Sequence, residues 1–319
     1  MTHIGNGRAV NERPNGSKAK AGSVRLAGLL LVILSLNLGA WAQDTNSEFQ
    51  ATLAAAEQGV AKAQYQLARA YEKGNGVARD YDKAVQYLRQ AANQGYADAQ
   101  VTLGSYYGRG LAVPRDLDTA VGWYRKAADQ GNALAEYALG GFYAHGRGVT
   151  NDIAQAIQWW QKAARQGQVD AQAALGQLYL IPAAPYGTNY LNYPEALRWL
   201  RQAADQKSAA ALNNLGVAYE NGFGVRRDYP EAAKWYRAAA VRGNAAAQAN
   251  LGQLYYYGQG VTNDLVQAYA WFKLSASQGN VSSQVNLANL PGLELLTPQQ
   301  QAEAKQKIED FKKELRVKP

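Results

Sequence analysis

From about residue 48 onward the hydrophobic positions follow two alternating patterns, both with helical spacing. In the first, Ala97, Ala99, Leu103, Gly104 and Tyr107 recur at intervals that place them on one face of a helix. A turn containing Gly110 and Val113 follows. Asp116 then opens the second pattern, with Ala120, Trp123, Tyr124, Ala127 and Ala128 on its buried side. Glycines close the second pattern at Gly59, Gly95, Gly131 and Gly167, and again at Gly243 and Gly279. Such self-similarity predicts an all-α array of tandem helix-turn-helix units rather than one globular core. Six full units span 61–96, 97–132, 133–168, 169–208, 209–244 and 245–280. An N-terminal half repeat or cap occupies 43–60, and 281–319 holds a partial repeat and a C-terminal capping helix.

Each recurring residue has a physical reason. Asp80, Asp116, Asp152, Asp228 and Asp264 stand where a second helix must start, and a side-chain oxygen there satisfies exposed N–H groups. Asp228 with Glu231, and Asn192 with Glu195, have capping-box spacing. Pro194 and Pro230 fall in a first helical turn, where the missing N–H costs nothing. Gly104, Gly140, Gly176, Gly216 and Gly252 lie inside first helices, where glycine costs about 1 kcal/mol relative to alanine. Repetition of that cost predicts close approach of a neighbouring helix, with leucine overpacking the contact and alanine tolerated far better. The row Trp123, Trp159, Trp199, Trp235 and Trp271 keeps the repeat period and is expected in the core. Thr297, Pro298 and Gln300 read as the start of a last helix, with Ala304, Ile308, Phe311 and Leu315 on its apolar face.

The motifs A-x-A-Q-x-x-L-G-x-x-Y, G-x-G-V-x-x-D (Gly74 to Asp80, Gly222 to Asp228) and W-Y-x-x-A-A resemble those of the Sel-one-like repeat (SLR) family, relatives of the tetratricopeptide solenoids. The resemblance runs from Glu48 to about Leu290. It implies a right-handed α/α superhelical solenoid whose first helices line a concave groove, and a role as adaptor or scaffold. Relatives also serve as regulators or assembly factors for envelope polysaccharide and secretion machinery, which is the alternative reading. Some cysteine-rich secreted relatives have been linked to hydrolase activity, but this chain has no cysteine.

The N-terminus departs from the pattern. A basic, polar stretch ends at Arg25, an apolar run covers Leu26–Leu38, and Ala40-Trp41-Ala42 precedes Gln43. This reads as a signal peptide over 1–42, with an uncleaved anchor as the alternative. A periplasmic or secreted protein without stable membrane insertion after cleavage is expected. The formal charge is +8, but residues 1–42 carry five basic groups against one acid, leaving 28 basic and 24 acidic residues beyond them, a net +4. That field, with no run of five or more like charges, argues against nucleic acid as partner.

Chemistry has little purchase in this sequence. The absence of cysteine removes disulfides, thiolate metal sites and a cysteine nucleophile, and only His3 and His145 could supply imidazole. The G-x-G turns follow helices rather than strands, so they read as turns and not as phosphate loops. No catalytic residue, cofactor or metal is expected. Two surfaces remain as candidates for a protein or peptide partner. The first is a stripe on the first helices, apart from the buried face, containing Tyr65, Arg69, Tyr137, Asn213, Gln253 and Tyr256. Rings interspersed with amides suit an extended peptide or a helix. The second is the lengthened turn of the fourth unit, which projects Ile181, Tyr186 and Tyr190.

Overall fold

The computed structural model describes residues 47, 49–181, 189–293 and 296–317, and among these all regular structure is helical. The expected signal peptide and Tyr186 lie outside the described residues. Two compact units are present, one ending at Gln94 and the other beginning at Gly95. No helix among the described residues is long and apolar enough to cross a membrane.

The first unit contains α1 (residues 49–57), α2 (Ala61–Lys73) and α3 (Tyr81–Asn93). Its core joins Ala56, Ala63, Leu67, Tyr71 and Ala84, with Phe49, Leu53 and Tyr87 packed around them. Tyr71 and Tyr87 stack with ring centroids 6.0 Å apart, and Phe49 meets Tyr71 edge-on at 6.2 Å.

The second unit repeats the hairpin: α4 (Ala97–Arg109) with α5 (Leu117–Ala128), α6 (Ala133–His145) with α7 (Ile153–Arg165), and α8 (Val169–Leu180) with α9 (Tyr193–Asp205). It continues through α10 (Ala209–Asn221) with α11 (Tyr229–Ala240) and α12 (Ala245–Tyr257) with α13 (Leu265–Ser277). A short α14 (Val281–Asn289) and a long α15 (Pro298–Val317) follow.

The turns are built as the sequence predicts. Asp80, Asp116, Asp152, Asp228 and Asp264 each accept a hydrogen bond from the backbone N–H three residues on. The backbone N–H of each of these residues in turn donates to the carbonyl of the first-helix tyrosine, as in Asp152 to Tyr143 at 3.0 Å. The lengthened fourth turn keeps this bond, Asn192 N–H to Tyr179 O at 2.9 Å, although more residues separate the two than in the other turns. Lys207 stands where the other units close on glycine and is held at φ 65°.

The helix-borne glycines are close-packed contacts. A Cβ on Gly252 would come within 2.8 Å of the Phe272 ring, one on Gly216 within 2.5 Å of Tyr236, and one on Gly176 within 2.5 Å of Leu200. On Gly140 it would fall inside the Trp160 indole, whose Nε1 donates to Tyr137 O at 3.2 Å. The fully apposed row on the second helices is therefore Tyr124, Trp160, Leu200, Tyr236 and Phe272, one residue after the tryptophans. This corrects the expected tryptophan core. Trp199 and Trp271 are buried, but Trp123, Trp159 and Trp235 are half-buried. Lys126 and Lys162 lie 4.2 Å over the rings of Trp123 and Trp159.

A polar row ties hairpins together. Gln64, Gln172 and Gln248 each donate to a carbonyl eight residues earlier, at 3.0–3.2 Å. Their amide oxygens accept from Gln94, Gln206 and Gln278 at the ends of the second helices. Buried amides paired in this way avoid the cost of unsatisfied polar groups. In the third repeat the row holds Glu136, which is 4% exposed and accepts from Gln166 at 2.7 Å. Burial pushes its carboxyl above the usual carboxylate range, while Gln166 and then Lys162 pull it back.

α15 ends the array. Thr297 and Gln300 form a reciprocal capping box. Phe311 stacks on Trp271 with centroids 3.8 Å apart, and Ile308 and Leu315 pack on the same cluster. Ala304 is buried as well.

Candidate functional site

The first unit carries an open cleft of about 590 Å³ between α1 and α2. Phe49 and Thr52 line it from α1; Tyr65, Gln66, Arg69, Ala70 and Lys73 line it from α2, and the Gly74–Gly76 turn closes one end. Two of the expected site residues, Tyr65 and Arg69, therefore share a concave surface. Arg69 is oriented by Glu72 through a 2.5 Å ion pair and remains about one-third exposed. Rings, two cations and the small Ala70 suit a peptide side chain with polar neighbours. Phe49 and Lys73 were not legible as site residues. Phe49 belongs to a half repeat that reads as a cap, and Lys73 ends its helix like any last-turn cation.

In the second unit the expected stripe is not clear of the packed surface, which corrects the sequence reading. Its equivalent positions Val101, Ala173 and Ala249 are buried. Tyr137 is half-buried against the cluster of Ala144, Ala156 and Trp160, and burial followed by the nearby Asp170 raises its phenol above the ordinary tyrosine range. Asn213 accepts from Asn250 at 3.2 Å and donates to Asn214 at 3.4 Å. Tyr256 donates to Pro291 O at 3.0 Å and meets Tyr257 edge-on at 4.9 Å. Gln253 is half-buried. These first-helix positions form a seam between successive hairpins, because a stacked array must cover that flank as well as the hairpin contact.

The lengthened turn also folds inward at its ends. Ile181 packs against the cluster of Leu180, Ala196 and Leu200, and Tyr190 against that of Trp160 and Trp199. Both are half-buried rather than projecting. Among the described residues no group of three His, Asp or Glu side chains is placed to hold a metal ion.

The chain is similar to a protective antigen of uropathogenic Escherichia coli that displays an SLR fold: 36% identity, TM-score 0.76, covering 85% of this chain and 57% of the antigen. The chain thus spans little more than half of that relative's length. It is also similar to a Sel1 repeat protein from Oxalobacter formigenes, at 29% identity and TM-score 0.65, over 77% of this chain and 96% of the other. No curated protein matches the sequence. The Sel1 repeat family model matches six times, at 61–96, 97–132, 133–168, 169–208, 209–244 and 245–280. Repeats of this kind often mediate protein–protein interaction. With all six matched in tandem, the chain belongs to the Sel1 repeat family.

Proposed function

We propose that this protein is an exported interaction scaffold that binds a protein or peptide partner through the first-helix side of its repeats. The α1–α2 cleft is its anchoring point. The observation that carries this reading is the cleft itself, where Tyr65 and Phe49 offer rings beside Arg69 and Lys73. Aromatic and arginine side chains in a concave, partly desolvated setting are the residues that dominate binding energy at protein interfaces. Tyr137, Asn213, Gln253 and Tyr256 support the hairpin seam first and offer a partner only their remaining exposed edges. The lengthened turn is a secondary candidate, with Tyr186 as the sequence expects and with only the edges that Ile181 and Tyr190 leave exposed. The apolar run ahead of Ala40-Trp41-Ala42 supports passage to the periplasm or beyond.

The test is site-directed photo-crosslinking in the envelope fraction. A crosslinking residue at position 65 should give partner adducts, and one at Arg201, exposed on α9, should not. Adding Arg69→Ala should lower the adduct yield about tenfold, the loss expected of an interface arginine, without moving the melting transition. Equal adducts at both positions, or none at 65, overturn the reading.

A further inference from the structure

Every internal hairpin buries the same rows. On the first helices the fourth position holds Gln64, Gln100, Glu136, Gln172, Leu212 and Gln248, all buried, and the eighth holds Ala68 and the five close-packed glycines, also buried. On the second helices the matching row is Ala91, Ala127, Ala163, Ala203, Ala239 and Ser275, each 0% exposed.

Both ends of the array break these rows in complementary ways. α14 is a first helix with no second helix folded back on it among the described residues. Its fourth- and eighth-position residues, Gln284 and Ala288, are exposed, and so are Val281 at 68% and Val285 at 50%. α1 is a second helix with no first helix ahead of it among the described residues. Its row residue Ala55 is only half-buried, and Gln58 is exposed. Gln58 holds the place from which Gln94, Gln130 and Gln278 donate to the buried amides of their own first helices at 2.7–2.8 Å.

The α1–α2 cleft lies on the side of α1 and α2 where the repeat geometry places a first helix. In the second unit, a residue such as Phe142 on a first helix packs against Tyr124 of the preceding hairpin, with centroids 5.5 Å apart. The corresponding residue on α2 is the small Ala70, which lines the cleft with Thr52 of α1. The cleft is thus shaped by the two helices that would flank a first helix, and it contains none of the described residues of such a helix.

We infer that the occupant of this cleft is α14 of a second copy of the chain, which completes a seventh hairpin across the junction. This deepens the reading of the cleft as a protein-binding site and rests on it. The contact continues the interface already established inside the array. Val281, Val285 and Ala288 meet Thr52 and Ala55, and Gln284 receives Gln58 as Gln248 receives Gln278. Because α1 and α14 are different surfaces, the association is heterologous and joins copies head to tail.

The absence of cysteine makes the test direct. Thr52→Cys and Ala288→Cys variants of the full chain are purified separately, mixed and oxidised mildly. The mixture should yield a disulfide-linked dimer at least tenfold above either variant alone, since only the mixture pairs the eighth position with its second-helix neighbour. Val285→Arg, placed on an exposed site and therefore without effect on folding, should abolish the dimer. No mixed dimer, with both thiols reactive toward maleimide, overturns the inference, as does equal dimer from either variant alone. Adducts at position 65 to a different protein, without the mixed dimer, would leave the partner-binding reading standing and remove only self-association.

Discussion

Two adjacent glycines on α6 should respond to the same substitution with opposite sign. A Cβ at Gly141 meets nothing within 4 Å, whereas one at Gly140 falls inside the Trp160 indole. At Gly141, alanine gains only helix propensity, so Gly141→Ala should stabilise by about 1 kcal/mol. At Gly140 the same gain is offset by overpacking of about 1–3 kcal/mol. Displacing the indole also weakens the Trp160 Nε1 bond to Tyr137 O, worth about 1 kcal/mol. Gly140→Ala should therefore destabilise by about 1–3 kcal/mol, and the neighbours should differ by roughly 2–4 kcal/mol. The sequence expectation that alanine is mild should come nearer the mark at Gly104, where the nearest atom is 3.2 Å away, than at Gly140, where the Trp160 indole lies at 2.3 Å. Urea titrations give the stabilities, and hydrogen exchange of α6 amides localises them. If Gly140→Ala stabilises as Gly141→Ala does, the close approach of α7 to α6 is wrong.

Glu136→Gln should stabilise, by about 1 kcal/mol at neutral pH, as the amide restores a donor to the buried row. The raised carboxyl keeps its proton longer when folded, so wild-type stability falls as pH rises from about 4.5, the ordinary value, toward the folded one. The variant's advantage in melting temperature should thus grow between pH 4 and pH 7; a constant advantage would refute the assignment. Lys207→Gly relieves a left-handed backbone costing a side chain about 1–2 kcal/mol and should raise the melting temperature, whereas Lys207→Ala should not. Phe311→Ala removes the ring stacked on Trp271 and should cost about 3 kcal/mol, seen as faster exchange across α13 and α15. Mass spectrometry of exported protein should find Gln43 as the first residue, and retention of Leu26–Leu38 would sink the cleavage site.

Hairpin number, caps and turn sites were legible in the sequence because each depends on local chemistry. An aspartate before an apolar run caps a helix wherever it stands, and Asp116 and Asp264 do so without help from distant residues. The helix-borne glycines were also legible, since a propensity cost repeated in register can only be offset by a tertiary contact. What the period could not separate was two adjacent rows on one amphipathic helix. Trp123 and Tyr124 both fall toward the core in projection, and only the crossing of the neighbouring helix decides that the tyrosine row meets the glycines. The same limit hid the seam. Tyr65, Tyr137 and Asn213 share one sequence position, but what lies beside each is set by stacking, which covers Tyr137 and Asn213 and leaves Tyr65 on a cleft. A position in a repeat states which face a residue occupies; the presence or absence of the next hairpin determines whether that face meets protein or water.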